Sequence, residues 1–350
     1  MAGGFVFASA ITGLNDDGTP AGEEVGAQTR SVLDRLRAVL ERAGSSLANA
    51  VSVSVYLRQA SDFEAMNATY RQYFADAPPV RTTVVAGLPP RALVAVSAIA
   101  VTRGTRREVL HPAGWMKSPR PYSYIVRAGD LVFLSGLVSR RGQDDQPVPG
   151  PVPVQVKTIL DNAGVLLRTA GLSHEDVVAS RVFLVDEATF SGMNDEYRKY
   201  FPSAPPARAT AIAGLMGASS LVEITLVATA GEREVLGPPG SPGLPLSTGV
   251  RAGRFVFLSG VLGNTDDNAD DLAGQTREVF ARISRTLDAG QLSFGDVVDN
   301  TVYVTDVWKT PTIDQLSAAI FPSHPPARTL VGTRLVARAG LVEMMMTLYK

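Results

Sequence analysis

The stretch that decides the fold is VRAGDLVFLSG, Val126 to Gly136, because it returns as VRAGRFVFLSG at Val250 to Gly260. A weaker third copy near the N-terminus, GGFVFASA, places three serines in register: Ser9, Ser135 and Ser259. The 350 residues divide into three divergent units of about 117 residues. This period exceeds the roughly 20–50 residues of solenoid repeats, so each unit is predicted to be a domain.

The ends of the three units carry a second shared motif. The segments YFADAPPVRTTVVAGL, YFPSAPPARATAIAGL and IFPSHPPARTLVGTRL align three arginines: Arg81, Arg208 and Arg328. We place the repeats at 1–105, 106–231 and 232–350. Repeat 1 has no counterpart of the roughly 16 residues that precede VRAG in the other two, so we expect it to lack the first strand.

Each repeat is predicted to be an α+β unit, a mixed β-sheet with two helices on one face. Runs such as LVFLSGLV predict strands. An apolar stripe through Leu33, Leu36 and Leu40 predicts a helix that ends at Gly44, and related patterns predict helices over 154–170 and 273–289. For the second helix, Ser61 with Glu64 indicates a capping box in repeat 1, and Thr310-Pro311 indicates a start in repeat 3.

Composition excludes several classes of protein. The net charge of −1 offers no global field for nucleic acid, and the absence of cysteine excludes disulfides and thiolate metal sites. The longest apolar runs, such as Leu93–Val101, are far shorter than the roughly 20 residues of a membrane span. The N-terminus does not resemble a signal peptide. We therefore expect a cytoplasmic protein with neither a nucleic-acid nor a membrane partner.

Four motifs in a fixed order resemble the Rid (YjgF, reactive intermediate deaminase) family. They are PYS before the first strand, FxSG at the strand end, MNxxY in the second helix, and PAR followed fifteen residues later by the glutamate of LVE. The resemblance implies three tandem YjgF-like (bacillus chorismate-mutase-like) domains. Family members are trimers with ligand clefts between subunits, so it also implies that this chain is a monomeric pseudotrimer.

The activity that the resemblance implies is hydrolysis of small reactive 2-imino or enamine acids, such as 2-aminoacrylate tautomers, to 2-oxo acids and ammonia. The residue types suit this chemistry without a metal or another cofactor. An arginine fork binds a carboxylate, and a nearby carboxylate activates water and returns the proton to the leaving nitrogen. The expected partner is a small imino or 2-oxo acid.

Carried over position by position, the motifs give unequal repeats. The implied catalytic residues are Arg208 and Glu223 in repeat 2, with Arg328 and Glu343 as a second pair in repeat 3. The implied substrate-binding residues are Tyr122, Ser135, Gly136, Asn194, Ser259 and Gly260. Repeat 1 keeps Ser9, Asn67 and Arg81 as a degenerate site, with Ala95 at the glutamate position. Repeat 3 has Leu246 at the tyrosine position and Asp314 at the asparagine position.

Simpler interpretations of these residues stay open at this stage. Arg208 with Glu223 is also compatible with a cross-strand ion pair, and the partnerless Arg81 with a structural role. The serines suit backbone hydrogen bonding, and Asn-x-x-Tyr suits plain helix packing. The three histidines lack metal-ligand spacing. A non-catalytic binding or scaffold protein is the alternative function, and ribonuclease-like activity is a third. Which repeats form each cleft is undecided.

Overall fold

The structure is a computed structural model that describes residues 1–239 and 243–350. Repeat 1 consists of β1 (Phe5–Thr12), α1 (Val25–Arg42), β2 (Ala50–Leu57), α2 (Phe63–Tyr70), β3 (Val80–Val85) and β4 (Val94–Val101). Repeat 2 consists of β5 (Arg107–Leu110), β6 (Ile125–Ala128), β7 (Leu131–Leu134), α3 (Val152–Thr169), β8 (Val177–Leu184), α4 (Phe190–Tyr200), β9 (Ala207–Ile212), β10 (Gly214–Leu215) and β11 (Val222–Thr229). Repeat 3 consists of β12 (Arg233–Pro239), β13 (Ser247–Ala252), β14 (Phe255–Leu258), β15 (Val261–Leu262), α5 (Leu272–Ala289), β16 (Val297–Val304), α6 (Thr310–Ile320), β17 (Ala327–Gly332), β18 (Arg334–Leu335) and β19 (Val342–Tyr349).

The predicted α+β fold is confirmed, with one mixed sheet per repeat. The strand orders are β1-β4-β2-β3-β10, β18-β9-β8-β11-β7-β6-β5 and β12-β13-β14-β19-β16-β17. In each sheet one strand pair is parallel and is joined by a crossover helix, as in β2-α2-β3. The sheet of repeat 1 contains no counterpart of β5 or β6, in agreement with the missing front segment.

The sheets are joined edge to edge into a closed ring. Repeat 2 adds β10 to the edge strand β3 of repeat 1, and repeat 3 adds β18 to β9 of repeat 2. The ring closes where Gly87 and Gly332 exchange backbone hydrogen bonds of 2.7 and 2.8 Å. Each sheet therefore has one edge covered by the next repeat, which protects it from pairing with other chains.

The six helices cover the outer faces of the sheets, and each repeat has its own core there. In repeat 1 the predicted stripe is correct, since Leu33, Leu36 and Leu40 are fully buried. Burial of each such side chain stabilises the fold by about 2 kcal/mol. The inner faces pack against one another around aromatic residues such as Phe183 and Tyr303, whose ring centroids lie 6.1 Å apart.

The predicted bounds of α3 and α5 agree with the structure within two residues at each end, and α1 ends at Arg42, two residues before the predicted stop at Gly44. Thr310 begins α6, and the proline beside it lies in the first turn. The predicted capping box at Ser61 is wrong. A 3₁₀ turn over Ala60–Asp62 precedes α2, whose N-cap, Asp62, makes no side-chain capping bond. No helix among residues 1–239 and 243–350 combines the length and apolarity that a membrane crossing requires.

Candidate active site

Each of the three aligned arginines lies on an edge strand, where it meets the strand end of the next repeat. In all three cases its backbone N–H donates to the serine hydroxyl of that repeat: Arg81 to Ser135 (2.9 Å), Arg208 to Ser259 (2.8 Å) and Arg328 to Ser9 (3.0 Å). We call these junctions cleft 1 (repeats 1 and 2), cleft 2 (repeats 2 and 3) and cleft 3 (repeats 3 and 1).

The structure corrects the predicted pairing of Arg208 with Glu223 inside repeat 2. On β8, Arg208 is in register with Ser180, whereas Glu223 is in register with Phe183. Positions three residues apart on a strand point to opposite faces, so the two side chains cannot meet. The arginine extends on the helix side of its sheet, and the glutamate extends on the side where the neighbouring repeat packs.

The same geometry separates Arg328 from Glu343, which are in register with Asn300 and Tyr303 on β16. The arginine of one repeat instead shares a cleft with the glutamate of the next. Arg81 and Glu223 line cleft 1. In cleft 2, Arg208 lies close enough to Glu343 for its charge to lower the pKa of that carboxyl group. Repeat 1 has Ala95 at the position of the motif glutamate, and Arg81 therefore shares its cleft with the glutamate of repeat 2.

In cleft 1, Arg81 is held rigidly and keeps one donor unused. The side chain is only 4% exposed, its Nη2 donates to Asn67 Oδ1 at 2.7 Å, and its guanidinium lies 4.8 Å from the centre of the Tyr70 ring. Nη1 is buried and has no hydrogen-bond partner among the residues that the structure describes. Since an unpaired buried donor is costly, this atom marks a place where a ligand oxygen would be stabilised.

Glu223 approaches the strand end of its own repeat at Gly136. A Cβ at Gly136 would collide with Glu223 Oε1, so a larger residue would displace the carboxylate from this position. Burial raises the pKa of Glu223 to about 8, although the Thr83 backbone amide and the charge of Arg81 act in the opposite direction. A carboxyl group with this pKa is mostly protonated at neutral pH and can both donate and accept a proton.

The remaining walls of cleft 1 come from both repeats and enclose a cavity of about 50 Å³. Tyr122 lies 5.8 Å from the Arg81 guanidinium carbon. Arg120 and Arg140 are also at the wall, and both approach Asp145, at 3.8 and 2.7 Å. The lining residues are Phe63, Arg81, Thr83, Arg120, Tyr122, Gly136, Val138, Arg140, Met216 and Glu223.

Cleft 2 repeats this arrangement with the same distances at its arginine. Arg208 is 1% exposed, donates to Asn194 Oδ1 at 2.7 Å and lies 4.8 Å from the Tyr197 ring centre. Burial raises the pKa of Glu343 to about 8, and a Cβ at Gly260 would collide with its Oε1. Two features differ from cleft 1. Arg208 Nη1 contacts Met193 Sδ at 3.9 Å, and Nε is its buried donor without a partner among the described residues. At the wall, leucine at position 246 replaces the tyrosine of cleft 1.

Cleft 3 has no counterpart of the glutamates Glu223 and Glu343. Arg328 forms an ion pair of 2.6 Å with Asp314, and its side chain is 34% exposed. Ser317 stands where Tyr70 and Tyr197 stack in the other clefts. Ala95 replaces the glutamate, and an alanine follows Ser9 where the other repeats have glycine. In the other two clefts the glutamate Oε1 is the nearest atom to a Cβ built on that glycine, so the two replacements in cleft 3 are compatible with each other.

The serine hydroxyls are used inside the protein. Ser135 Oγ accepts from the Arg81 backbone and donates to the Ser123 carbonyl at 2.7 Å. Ser259 Oγ likewise donates to the Ser247 carbonyl at 2.5 Å. Their contacts align the arginine strand with the next repeat. Sequence reasoning assigned no site role to the tyrosines stacked on the arginines, although the Asn-x-x-Tyr spacing was the available signal.

Known proteins are similar to this chain in sequence and in fold. Reactive Intermediate Deaminase A, chloroplastic, of Arabidopsis thaliana is 33% identical over 141 residues, which is 40% of this chain and 73% of that protein. The 2-iminobutanoate/2-iminopropanoate deaminase of Capra hircus is 36% identical over 111 residues, 32% of this chain and 81% of that protein. A chorismatase crystal structure matches the fold over 86% of this chain and 93% of its own, with a TM-score of 0.55 and 15% identity. The family described as Endoribonuclease L-PSP matches residues 1–102, 115–230 and 241–349, and this chain therefore belongs to that family, with three copies of its domain.

Proposed function

We propose that the chain hydrolyses small 2-imino or enamine acids to 2-oxo acids and ammonia in clefts 1 and 2. The observation that carries the proposal is the juxtaposition, across a repeat interface, of a buried arginine with an unused donor and a buried carboxyl group whose pKa lies near 8. Two relatives support it: one at 33% identity is named a reactive intermediate deaminase, and one at 36% identity is named a 2-iminobutanoate/2-iminopropanoate deaminase.

The substrate carboxylate binds to the arginine. In cleft 1 the Asn67 and Tyr70 contacts keep the Arg81 guanidinium in one orientation, so little side-chain entropy is lost when the ligand arrives. Nη1 then donates to a carboxylate oxygen in a charge-assisted hydrogen bond. Arg81 and Glu223 do not form an ion pair in the described structure, so the cavity between them is free to hold the substrate.

The carboxyl group moves the protons. In its acid form Glu223 protonates the imine nitrogen, which makes the C=N carbon electrophilic, and the resulting carboxylate takes a proton from the attacking water. The carbinolamine then collapses: the carboxyl group protonates the leaving nitrogen, the C–N bond breaks, and the hydroxyl proton returns to the carboxylate. One imine and one water give one 2-oxo acid and one ammonia, and Glu223 ends protonated as it began.

The test is direct measurement of imine turnover. An amino-acid oxidase generates 2-iminopropanoate from L-alanine in place, and semicarbazide competes with the protein for the imine. We expect the protein to lower the yield of trapped semicarbazone and raise the release of ammonia. Unchanged trapping with imines of several side chains would refute the proposal. Saturable binding of 2-oxo acids without turnover would then favour the binding-protein alternative, because a ligand stabilises the fold by mass action alone.

A further inference from the structure

A second cavity lies where the inner faces of the three sheets meet, between β2, β8 and β16. It encloses about 90 Å³ of space open to water-sized molecules. One water molecule needs roughly 10–15 Å³ of such space, so the cavity has room for about six to nine water-sized positions. None of the residues that line it lines cleft 1, so it is a separate compartment. Nothing in the proposed hydrolysis uses it.

Two opposite charges face this cavity, and each occurs once. Arg181 lies on β8 at the position held by Ser54 in repeat 1 and Thr301 in repeat 3. Asp299 lies on β16 at the position held by Ser52 and Ala179. A trimer of identical subunits would bring three like charges together here, at a high electrostatic cost. Only a fused chain can present one arginine and one aspartate.

The protein satisfies these two charges only in part. Arg181 donates from Nη2 to Ser54 Oγ at 3.2 Å, and the Tyr56 and Tyr303 side chains and the charge of Asp299 act on its guanidinium. Asp299 accepts no hydrogen bond from residues 1–239 or 243–350, and the two side chains form no ion pair with each other. Both keep surface open to the cavity although the surrounding sheets enclose them. An enclosed carboxylate without a hydrogen-bond donor is costly, and the arginine keeps further donors, so a polar partner inside the cavity is expected.

We propose that this axial cavity binds a small 2-amino acid as its zwitterion, with the carboxylate on Arg181 and the ammonium group on Asp299. The size agrees, since alanine has about as many non-hydrogen atoms as the cavity has water-sized positions. The walls add hydroxyl groups, including those of Ser54 and Thr301, and apolar surface from Phe133 and Phe257. A ligand with only one charge would leave either the arginine or the aspartate unpaired.

The test is equilibrium binding of isotopically labelled L-alanine to the whole chain after long incubation, with acetate and methylammonium as single-charge probes. We expect saturable one-to-one binding of alanine, and at least about tenfold weaker binding of each probe. Replacing each charge by the residue of another repeat, Arg181→Ser or Asp299→Ala, should weaken alanine binding at least about tenfold. The variant with both changes loses both buried charges together and is expected to fold, because a buried pair is replaceable at little cost.

A cleft control separates this site from the proposed active sites. Arg81→Met with Arg208→Met removes the cleft arginines, and alanine binding should survive in that variant. Absence of saturable binding to the unchanged chain would overturn the proposal and leave water as the occupant of the cavity. Binding that persists in the Arg181→Ser/Asp299→Ala variant, or that disappears in the cleft variant, would also overturn it. These outcomes are independent of imine turnover.

Discussion

The pairing of Arg81 with Glu223 across the repeat interface can be tested with two double variants. Clefts 1 and 2 have equal arginine–asparagine and arginine–tyrosine distances, and both glutamates have a pKa near 8. We therefore expect each cleft to supply about half of the turnover of 2-iminopropanoate. Glu223→Gln should leave about half of kcat/KM, because cleft 2 stays intact. Arg81→Met/Glu223→Gln should leave the same half, since both changes fall in cleft 1.

The second double variant, Arg208→Met/Glu223→Gln, has one change in each cleft. Glu223→Gln removes the acid of cleft 1, worth about 10²–10⁴-fold, and Arg208→Met removes the carboxylate contact of cleft 2, worth about 10–100-fold, so kcat/KM should fall to a few per cent of that of the unchanged chain. The assay is ammonia release at imine concentrations below KM, which reports kcat/KM for all variants, with circular dichroism as the folding control. If Arg208 instead acted with Glu223, this variant would retain the activity of either single variant. Equal activity in the Arg208→Met/Glu223→Gln variant and in Glu223→Gln would therefore refute the cross-repeat site.

Four further outcomes follow from the same structure. The acid form of Glu223 starts the reaction, so kcat/KM should fall as pH rises through about 8; a rate that increases through this range would contradict the assignment. The pKa of Glu343 is raised from 4.5 to about 8, so the folded state binds its proton more tightly than the unfolded state does. The free energy of unfolding should therefore decrease by about 1 kcal/mol per pH unit between pH 4.5 and pH 8. Urea denaturation of Glu343→Gln should show a smaller decrease over this range, and an unchanged pH dependence would contradict the prediction. Arg120 and Arg140 line cleft 1, whereas Leu244 and Asn264 occupy the matching positions for cleft 2. The variant Arg120→Leu/Arg140→Asn should raise KM severalfold for an imino acid with an acidic side chain and leave KM for 2-iminopropanoate unchanged. Equal changes in KM for both substrates would count against a specificity role. Arg328→Ala should leave turnover unchanged because cleft 3 has no glutamate, and a loss beyond about twofold in a folded variant would show that cleft 3 is active.

The fold was predictable because the same sequence pattern occurs in three copies, and each copy supports the interpretation of the other two. A strand motif that recurs with the same small residues at its end, followed by the same apolar stripe, excludes most accidental patterns. Helix ends were accurate where glycine or proline marks them, as at Gly44 and Thr310-Pro311. The Ser61 capping box failed because Ala60–Asp62 forms a separate 3₁₀ turn before α2, a choice that local sequence leaves open.

The site was predictable in its parts and not in its pairing. The fifteen-residue spacing from Arg208 to Glu223 identifies both residues, but it carries no information about which face of the sheet each occupies. That information lies in the register of β9 and β11 on β8, which is set by contacts distant in sequence. Arg81 was interpreted as structural for the same reason, since its glutamate belongs to another repeat and follows it by more than a hundred residues.

Fusion explains why the three junctions differ in a coordinated way. In a trimer of identical subunits, one substitution changes all three clefts and all three positions around the axis together. In a single chain, repeat 1 can carry Ala95 at the glutamate position and alanine after Ser9 while repeats 2 and 3 carry Glu223 and Glu343 with glycine after the serine. The same freedom allowed Arg181 and Asp299 to arise singly around the axis. The departures from threefold symmetry therefore mark the places where this chain can perform tasks that a symmetric trimer cannot, and they are the positions at which substitution is most informative.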